Sequence, residues 1–151
     1  MKTLLSVLAA VAATSFALPA PAQFQKPEDA TKYRQSTMFV MANHFGRIGA
    51  MVQGRAPYDA AAATANAEVV ATMARLHWVG FVDGTSSTTK GGAKSNIWTE
   101  RAKFDEAGRK MNDEVAKLVA SAKTNNLDNI TAAFGPVGQA CKACHDDFRN
   151  Q

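Results

Sequence analysis

Apolar residues recur at steps of three and four along most of the chain, which is the spacing of one face of an α-helix. The first stripe begins after Pro27 and ends before Gly54 and Pro57. A second begins near Asp59, whose carboxylate can cap a first helical turn, and ends at Gly80. These stripes predict two helices joined by a short turn. Their apolar members are Met38, Met41, Phe45, Ile48 and Val52 in the first and Val69, Met73 and Leu76 in the second.

The second half of the chain repeats this pattern after a polar interruption. Residues 83–95 have no periodicity and are rich in Gly, Ser and Thr, which predicts a flexible loop. A third helix is predicted with Trp98 near its start, and Asn125-Asn126 end it. Inside the fourth stripe, Gly135-Pro136 predicts a kink or a fresh helix start. The apolar stripes carry Phe104, Met111, Val115 and Leu118, then Leu127, Ile130, Phe134, Cys141, His145 and Phe148.

The four stripes together predict the fold class. The chain has 151 residues, of which 46% are hydrophobic, and this suits a single domain. No strand-like alternation competes with the helical pattern, and no repeat at solenoid spacing is present. Short or moderate connections favour antiparallel neighbours. We therefore predict an all-α, up-down-up-down four-helix bundle.

Residues 1–22 have the features of a secretory signal peptide. Met1 and Lys2 provide a positive start, an apolar segment follows, and Ala20 and Ala22 are small residues at the positions that a signal peptidase reads. The apolar segment is too short to span a bilayer, and it lacks the amphipathic pattern of a buried helix. We expect cleavage before Gln23, which leaves 23–151 as one domain, and export to an oxidising bacterial periplasm.

Charge and composition exclude several classes of function. The formal net charge is +4, and the basic residues are scattered rather than clustered, so no nucleic-acid patch or strong electrostatic partner is indicated. Two cysteines cannot form a disulfide-rich scaffold. Asp146 and Asp147 are adjacent, and adjacent residues on a helix point in different directions, so they do not form a paired-carboxylate site. No catalytic triad is evident, and we predict that the chain is not an enzyme.

Residues 141–145 form the one motif that carries chemistry. Their sequence, Cys-Lys-Ala-Cys-His, is the attachment signature of c-type haem. Residues three apart share a helix face, so the sulfurs of Cys141 and Cys144 can both reach the vinyl groups of one haem as thioethers. His145 can then ligate the iron from the same side.

Two other interpretations of the cysteines compete with haem. A Cys141–Cys144 disulfide is possible, although thioredoxin-like proteins place such a pair beside a sheet. A structural zinc site needs four ligands, and neither His44 nor His77 has ligand-like spacing to the pair. Both histidines are predicted to be surface or packing residues. The motif, the export signal and the helical context together favour one covalently bound haem c.

A Cys-x-x-Cys-His motif near the end of a four-helix bundle resembles the cytochrome c′ family, the class II c-type cytochromes. The likeness covers the mature chain. It is carried by Lys32-Tyr33-Arg34-Gln35, His44-Phe45-Gly46-Arg47, Ala56-Pro57-Tyr58-Asp59 and the run from Ala133-Phe134-Gly135-Pro136-Val137-Gly138 into the haem motif. The resemblance implies a five-coordinate, high-spin iron that admits nitric oxide and carbon monoxide, and commonly a homodimer packed through the first helices.

The resemblance also implies roles for individual residues. His145 would be the proximal ligand, and Arg149 would lie beside it, one helical turn on. Arg34 would lie near the haem propionates, although its stem could instead carry the charge to solvent. Met38 would cover the open iron face, and Phe81 would be a second residue of that distal pocket.

Met38 decides between two functions. Its stripe position allows simple core packing, a plug over the iron that does not bond, or an axial thioether. An open site suits nitric oxide capture, whereas a Met38 ligand suits an electron carrier that serves an unidentified redox partner. A helical disulfide protein without haem is the third possibility. For the homodimer, Phe39, Val40 and Met51 would have to lie outside the main stripe.

Overall fold

The computed structural model describes residues 23–151, so the predicted signal peptide lies outside the described residues. All elements in this range are helical. They are α1 (Pro27–Val52), α2 (Ala60–Leu76), a 3₁₀ turn (His77–Gly80), α3 (Asn96–Thr99), α4 (Arg101–Ala122) and α5 (Leu127–Phe148).

The four long helices form the predicted antiparallel bundle. α1 packs against α2, α2 against α4, α4 against α5, and α5 against α1, which closes the ring. The core between them is built from the inward residues of each helix. Its fully buried members include Ile48, Val70, Leu118, Ile130 and Val137. The fold prediction is therefore confirmed.

Side-chain caps mark the starts of two of the long helices, α2 and α5. Asp59 caps α2, since its Oδ1 accepts a hydrogen bond from the Ala62 amide at 2.9 Å. Asn126 caps α5 in the same way through the amides of Asp128 and Asn129. Asn125 has a φ of +53°, a left-handed conformation that asparagine tolerates and that ends the preceding helical segment. The predicted break at Asn125-Asn126 is confirmed.

The structure differs from the predicted third helix and removes one of the two alternatives predicted for the fourth. The third helix is divided, because Glu100 has φ −114° and ψ 39° and so interrupts the helix between α3, which carries Trp98, and α4, which carries Phe104. No fresh helix starts at Gly135-Pro136, since α5 runs from Leu127 to Phe148 with Pro136 inside it. The carbonyl deprived of a donor by the proline belongs to Ala132, an exposed residue at which water can bind.

The loop of residues 83–95 is tied to the rest of the chain, which the prediction of a flexible loop missed. Ala93 and Arg149 form an isolated antiparallel bridge. The Gly91 amide donates to the Asn150 carbonyl at 2.8 Å, and the Asn150 amide donates to the Gly92 carbonyl at 2.9 Å. The loop therefore pairs with the segment that follows the haem motif.

The outer face of α1 has two of the three residues named for a dimer contact. Phe39 and Val40 are exposed, whereas Met51 belongs to the core. The prediction for Met51 is wrong, because at this end of α1 its side chain packs into the hydrophobic cluster around Ile48. Among the described residues, no helix is long and apolar enough to cross a membrane.

Candidate functional site

A cavity of about 870 Å³ opens between α1, α5 and the 3₁₀ turn. A smaller cavity of about 70 Å³ adjoins it and shares several of its walls. All seven residues predicted for the site line one or both cavities. They are Arg34, Met38, Phe81, Cys141, Cys144, His145 and Arg149.

α5 brings the haem motif to the cavity wall. Cys141 and Cys144 are three residues apart on this continuous helix, and both are half-buried free thiols rather than a disulfide. Burial raises the pKa of the Cys141 thiol, and it raises the pKa of Cys144 to about 11, with Cys141 and Asp147 adding to the effect. Two protonated thiols on one helix face beside a cavity are the groups that thioether formation requires.

His145 follows the cysteines on the same wall. Burial lowers the pKa of its imidazole, and the positive charge of Arg149 adds to this effect, while Asp146 opposes it. The neutral imidazole, which is the form that ligates iron, is therefore favoured. Arg149 lies just beyond the end of α5, and its amide donates to the His145 carbonyl at 3.0 Å. The predicted proximity of the two residues is confirmed, although Arg149 itself is no longer helical.

Met38 faces the cavity from α1. It lines both cavities and belongs to neither hydrophobic cluster, whereas Met41 and Phe45 of the same stripe line only the larger cavity and also pack against the main hydrophobic core. Simple core packing therefore does not describe Met38. A plug over the iron and an axial ligand would both need the Met38 thioether at the cavity, which is where it lies.

Arg34 is a buried cation that crosses from α1 to the loop. Its side chain does not reach solvent, because the residue is only 4% exposed, so the alternative that its stem carries the charge outward is wrong. Nη1 donates to the Gly80 carbonyl at 2.8 Å and to Thr85 Oγ1 at 2.6 Å, and Nη2 donates to the Thr85 carbonyl at 2.7 Å. These bonds use three of the five N–H groups of a guanidinium.

Gly80 makes this contact possible. A Cβ at this position would lie 2.7 Å from the Ala30 carbonyl oxygen and 2.8 Å from Arg34 Cβ, so a side chain would push the 3₁₀ turn away from α1. Among residues 23–151, no ion pair to a carboxylate involves Arg34. A buried cation without such a partner beside a cavity suits a ligand that carries carboxylates, as haem does.

Aromatic rings form a wall of the cavity beside the haem motif. The Arg34 guanidinium lies 4.9 Å from the centroid of the Phe81 ring. Phe81 meets Phe104 edge to face at 4.8 Å, and Phe104 meets Phe148 at 5.3 Å. Trp78 lies beside this cluster and donates its indole N–H to the Ala74 carbonyl at 2.6 Å. The cavity wall is thus apolar and carries the positive charge of Arg34 at one place.

His77, which was predicted to be a surface or packing histidine, is a packing residue at the cavity. It is only 1% exposed, and its Nδ1 lies 3.2 Å from the Met73 carbonyl oxygen. Because a carbonyl only accepts, Nδ1 carries the proton and Nε2 of the neutral ring keeps a lone pair. Burial lowers the pKa of His77 to about 4; the Met73 bond opposes this shift, and the charge of His145 adds to it. Its place four residues after Met73 of the second stripe was the signal of its burial.

The shifted pKa of His77 predicts acid sensitivity. Its folded-state pKa of about 4 lies below the ordinary 6.5, so the unfolded chain binds the proton more readily. Stability is therefore present above pH 6.5 and is lost as the pH falls toward 4. Between pH 7 and pH 4.5 we expect His77 to account for a loss of about 2.5 kcal/mol in the free energy of unfolding.

Urea unfolding at the two pH values measures this loss. His77→Gln keeps a donor for the Met73 carbonyl but cannot titrate. Between pH 7 and pH 4.5, the free energy of unfolding of this variant should therefore fall by about 2.5 kcal/mol less than that of the parent chain. His44→Gln is the control, since His44 is only half-buried and bonds Asn66 Oδ1. Equal pH dependence in the parent chain and His77→Gln would contradict the prediction.

Comparison with known proteins agrees with this geometry. The sequence model of the family Cytochrome C′ matches residues 29–149. The chain belongs to the cytochrome c′ family. Cytochrome c′ from Alcaligenes xylosoxydans xylosoxydans is 48% identical over 129 residues, which cover 85% of this chain and 99% of that protein.

Solved structures of cytochrome c′ share the fold and report ligands. A nitric oxide complex of a leucine-to-alanine variant from Alcaligenes xylosoxidans superposes with a TM-score of 0.80 at 47% identity, covering 85% of this chain and 99% of that one. A carbon monoxide-bound leucine-to-glycine variant from the same organism gives the same TM-score and identity and covers 85% and 100%.

Proteins of the cytochrome c′ family carry covalently attached haem c, and the residues of this site fit that group. Cys141, Cys144 and His145 stand together on one cavity wall, and the buried Arg34 supplies a cation beside the cavity. Haem supplies iron that binds diatomic gases or exchanges single electrons. Among residues 23–151, no group of three or more His, Cys, Asp or Glu side chains is placed to hold a separate metal ion.

Proposed function

We propose that the chain is a periplasmic gas-binding haem protein, exported through residues 1–22 and cleaved before Gln23. Its single haem is bound through Cys141 and Cys144, and His145 is the proximal ligand of a five-coordinate, high-spin ferrous iron. The open iron face binds nitric oxide and carbon monoxide, and nitric oxide capture protects the periplasm. Single-electron exchange with a redox partner is a secondary role, and no catalysed reaction is assigned.

The observation that carries this proposal is that His145 on α5 and Met38 on α1 line the same cavity. A thioether sulfur is a weaker iron ligand than a second imidazole, and a methionine side chain can cover the iron without bonding. Phe81 adds an apolar wall beside it. Structures of two variants of the Alcaligenes xylosoxidans relative, one with nitric oxide and one with carbon monoxide, support an iron that small gases reach.

The absorption spectrum of the purified ferrous protein tests the proposal. We expect the broad bands of high-spin, five-coordinate haem and a large shift when carbon monoxide is added. Sharp low-spin bands that resist carbon monoxide would contradict the open site and favour the electron carrier. Met38→Ala would then identify the sixth ligand, because low-spin bands that survive it cannot come from Met38 and would implicate His77.

Met38→Ala also tests the plug in the open-site protein. Removal of the side chain should lower the barrier to gas entry, and a barrier lower by about 1.4 kcal/mol raises the rate about tenfold. Flash photolysis of the carbon monoxide complex measures the association rate. Met73→Ala is the matched control, since Met73 lies on α2 and does not line either cavity. An unchanged rate in Met38→Ala would show that this residue does not cover the iron.

We further propose that the chain forms a homodimer through α1. Phe39 is 71% exposed and Val40 lies beside it, an apolar pair that a monomer would leave in water. Phe39→Glu should produce a monomer in sedimentation velocity at concentrations where the parent chain is a dimer. Leu76→Glu changes an exposed apolar residue of α2 and should leave the dimer intact. A dimer that persists in Phe39→Glu would place the contact elsewhere.

Arg149 is proposed to act on the proximal side of the haem. In the family, nitric oxide can break the iron–histidine bond and leave a five-coordinate nitrosyl. The guanidinium lines both cavities, and its charge acts on His145. It can donate to a ligand on that face or restrict access to it.

A further inference from the structure

The end of α5 is held by the polar loop through an unusually complete set of hydrogen bonds. The last four carbonyls of an α-helix have no partner within the helix and need donors from elsewhere. Here the His145 carbonyl accepts from the Arg149 amide at 3.0 Å. The other three, of Asp146, Asp147 and Phe148, accept from residues 94–96, as described next.

Lys94 supplies most of these donors. Its ammonium donates to the Asp146 carbonyl at 2.9 Å and to the Asp147 carbonyl at 3.2 Å, and its own amide donates to the Phe148 carbonyl at 3.0 Å. Asn96 Nδ2 adds a weaker bond to the Asp147 carbonyl at 3.3 Å. A cation is also the charge that stabilises a helix C-terminus. One residue therefore donates to three of the four carbonyls in the turn that begins at His145, two of them through its side chain.

The backbone pairing beyond the helix reinforces this closure. Past the end of α5, the loop stays paired with the chain through the Gly91 and Asn150 hydrogen bonds and the Ala93–Arg149 bridge. Asn150 Nδ2 also donates to the Ser87 carbonyl. On the inner side, Phe148 is only 3% exposed and packs edge to face on Phe104. We call residues 87–94 together with residues 146–150 the C-terminal clasp.

We propose that Lys94 is a positioning residue for the proximal ligand, which holds the last turn of α5 so that His145 keeps its place at the iron. The inference rests on the proposed function, since it assumes that His145 is the ligand. Release of the imidazole from iron is easier when the turn that carries it can shift. The clasp sets how readily it does so, and so how readily nitric oxide converts the six-coordinate haem to the five-coordinate form.

Lys94→Met in the holoprotein tests this role. We expect the six- to five-coordinate nitrosyl conversion, followed by stopped-flow spectroscopy, to be about tenfold faster, as the loss of charge-assisted hydrogen bonds would allow. Exchange of the Arg149 and Asn150 amides should be faster by a similar factor. The iron–histidine stretching band of the ferrous protein should shift to lower frequency. Lys94→Arg keeps the charge and donors and should restore all three toward the parent values.

Lys103→Gln is the matched control. Lys103 is an exposed lysine that pairs with the Asp147 carboxylate at 3.0 Å, so its loss removes the same charge from the same turn without touching a carbonyl. Equal effects in Lys94→Met and Lys103→Gln would overturn the proposal in favour of charge alone. Unchanged conversion and an unchanged iron–histidine band in Lys94→Met would also overturn it. The absence of that band in the parent chain would instead refute the proposed His145 ligation, and this inference with it.

Discussion

Replacement of both Cys141 and Cys144 by serine is expected to leave the haem free to leave the chain. The two thiols are free and share one helix face at the cavity wall, and serine cannot form a thioether. Acid–acetone extraction should remove nearly all the haem from the double variant and almost none from the parent chain. His145 and the apolar walls would still bind haem, but without a covalent bond.

Single variants sharpen this result. Cys141→Ser and Cys144→Ser should each keep the haem through one thioether and show an altered haem spectrum, because one vinyl group remains unsaturated. Ala143→Ser is the matched control, since it adds a hydroxyl within the motif at an exposed position. Free extraction of haem from the parent chain would refute covalent attachment.

Arg34→Met is expected to destabilise the folded protein by about 3 kcal/mol or more, because the Gly80 and Thr85 acceptors lose a charged donor in a buried position. Methionine fills much of the volume of the arginine stem, so the loss reflects the hydrogen bonds more than a cavity. Urea unfolding at neutral pH measures the change. The same substitution should loosen the contact between α1 and the 3₁₀ turn. The part of the cavity wall formed by Phe81 should loosen as a result.

Arg47→Met is the control for Arg34→Met. Arg47 lies exposed on the same helix, and its loss should change the free energy of unfolding by less than about 0.5 kcal/mol. A comparably small effect of Arg34→Met would mean that its three hydrogen bonds contribute little beyond what water offers. Haem propionates, if they pair with Arg34, would make the loss larger in the holoprotein than in the apoprotein.

The sequence could predict features whose physical cause is local. Helical period depends on residues three and four apart, so the stripes from Pro27 to Phe148 placed four long helices correctly. Capping acts over three residues, so Asp59 was recognised as a helix start. Haem attachment depends on the spacing of Cys141, Cys144 and His145 within one turn.

Position in the stripe was a weaker guide where neighbours from other helices decide burial. Met51 belongs to the core although the dimer prediction needed it outside, and Pro136 lies within a helix that continues past it. Packing of α5 along its whole length outweighs the one hydrogen bond that a proline removes. The non-helical backbone at Glu100, which separates Trp98 from α4, had no evident signal in the pattern.

Only the tertiary structure decided which residues that are distant in the sequence form hydrogen bonds with one another. Arg34 could be recognised as an inward cation, but its partners Gly80 and Thr85 lie 46 and 51 residues away. Lys94 lies in a stretch with no periodicity, yet its ammonium reaches carbonyls 52 and 53 residues on. Backbone carbonyls look the same at every position of a sequence. The donors that reach them become identifiable only when the bundle brings the loop against the end of α5.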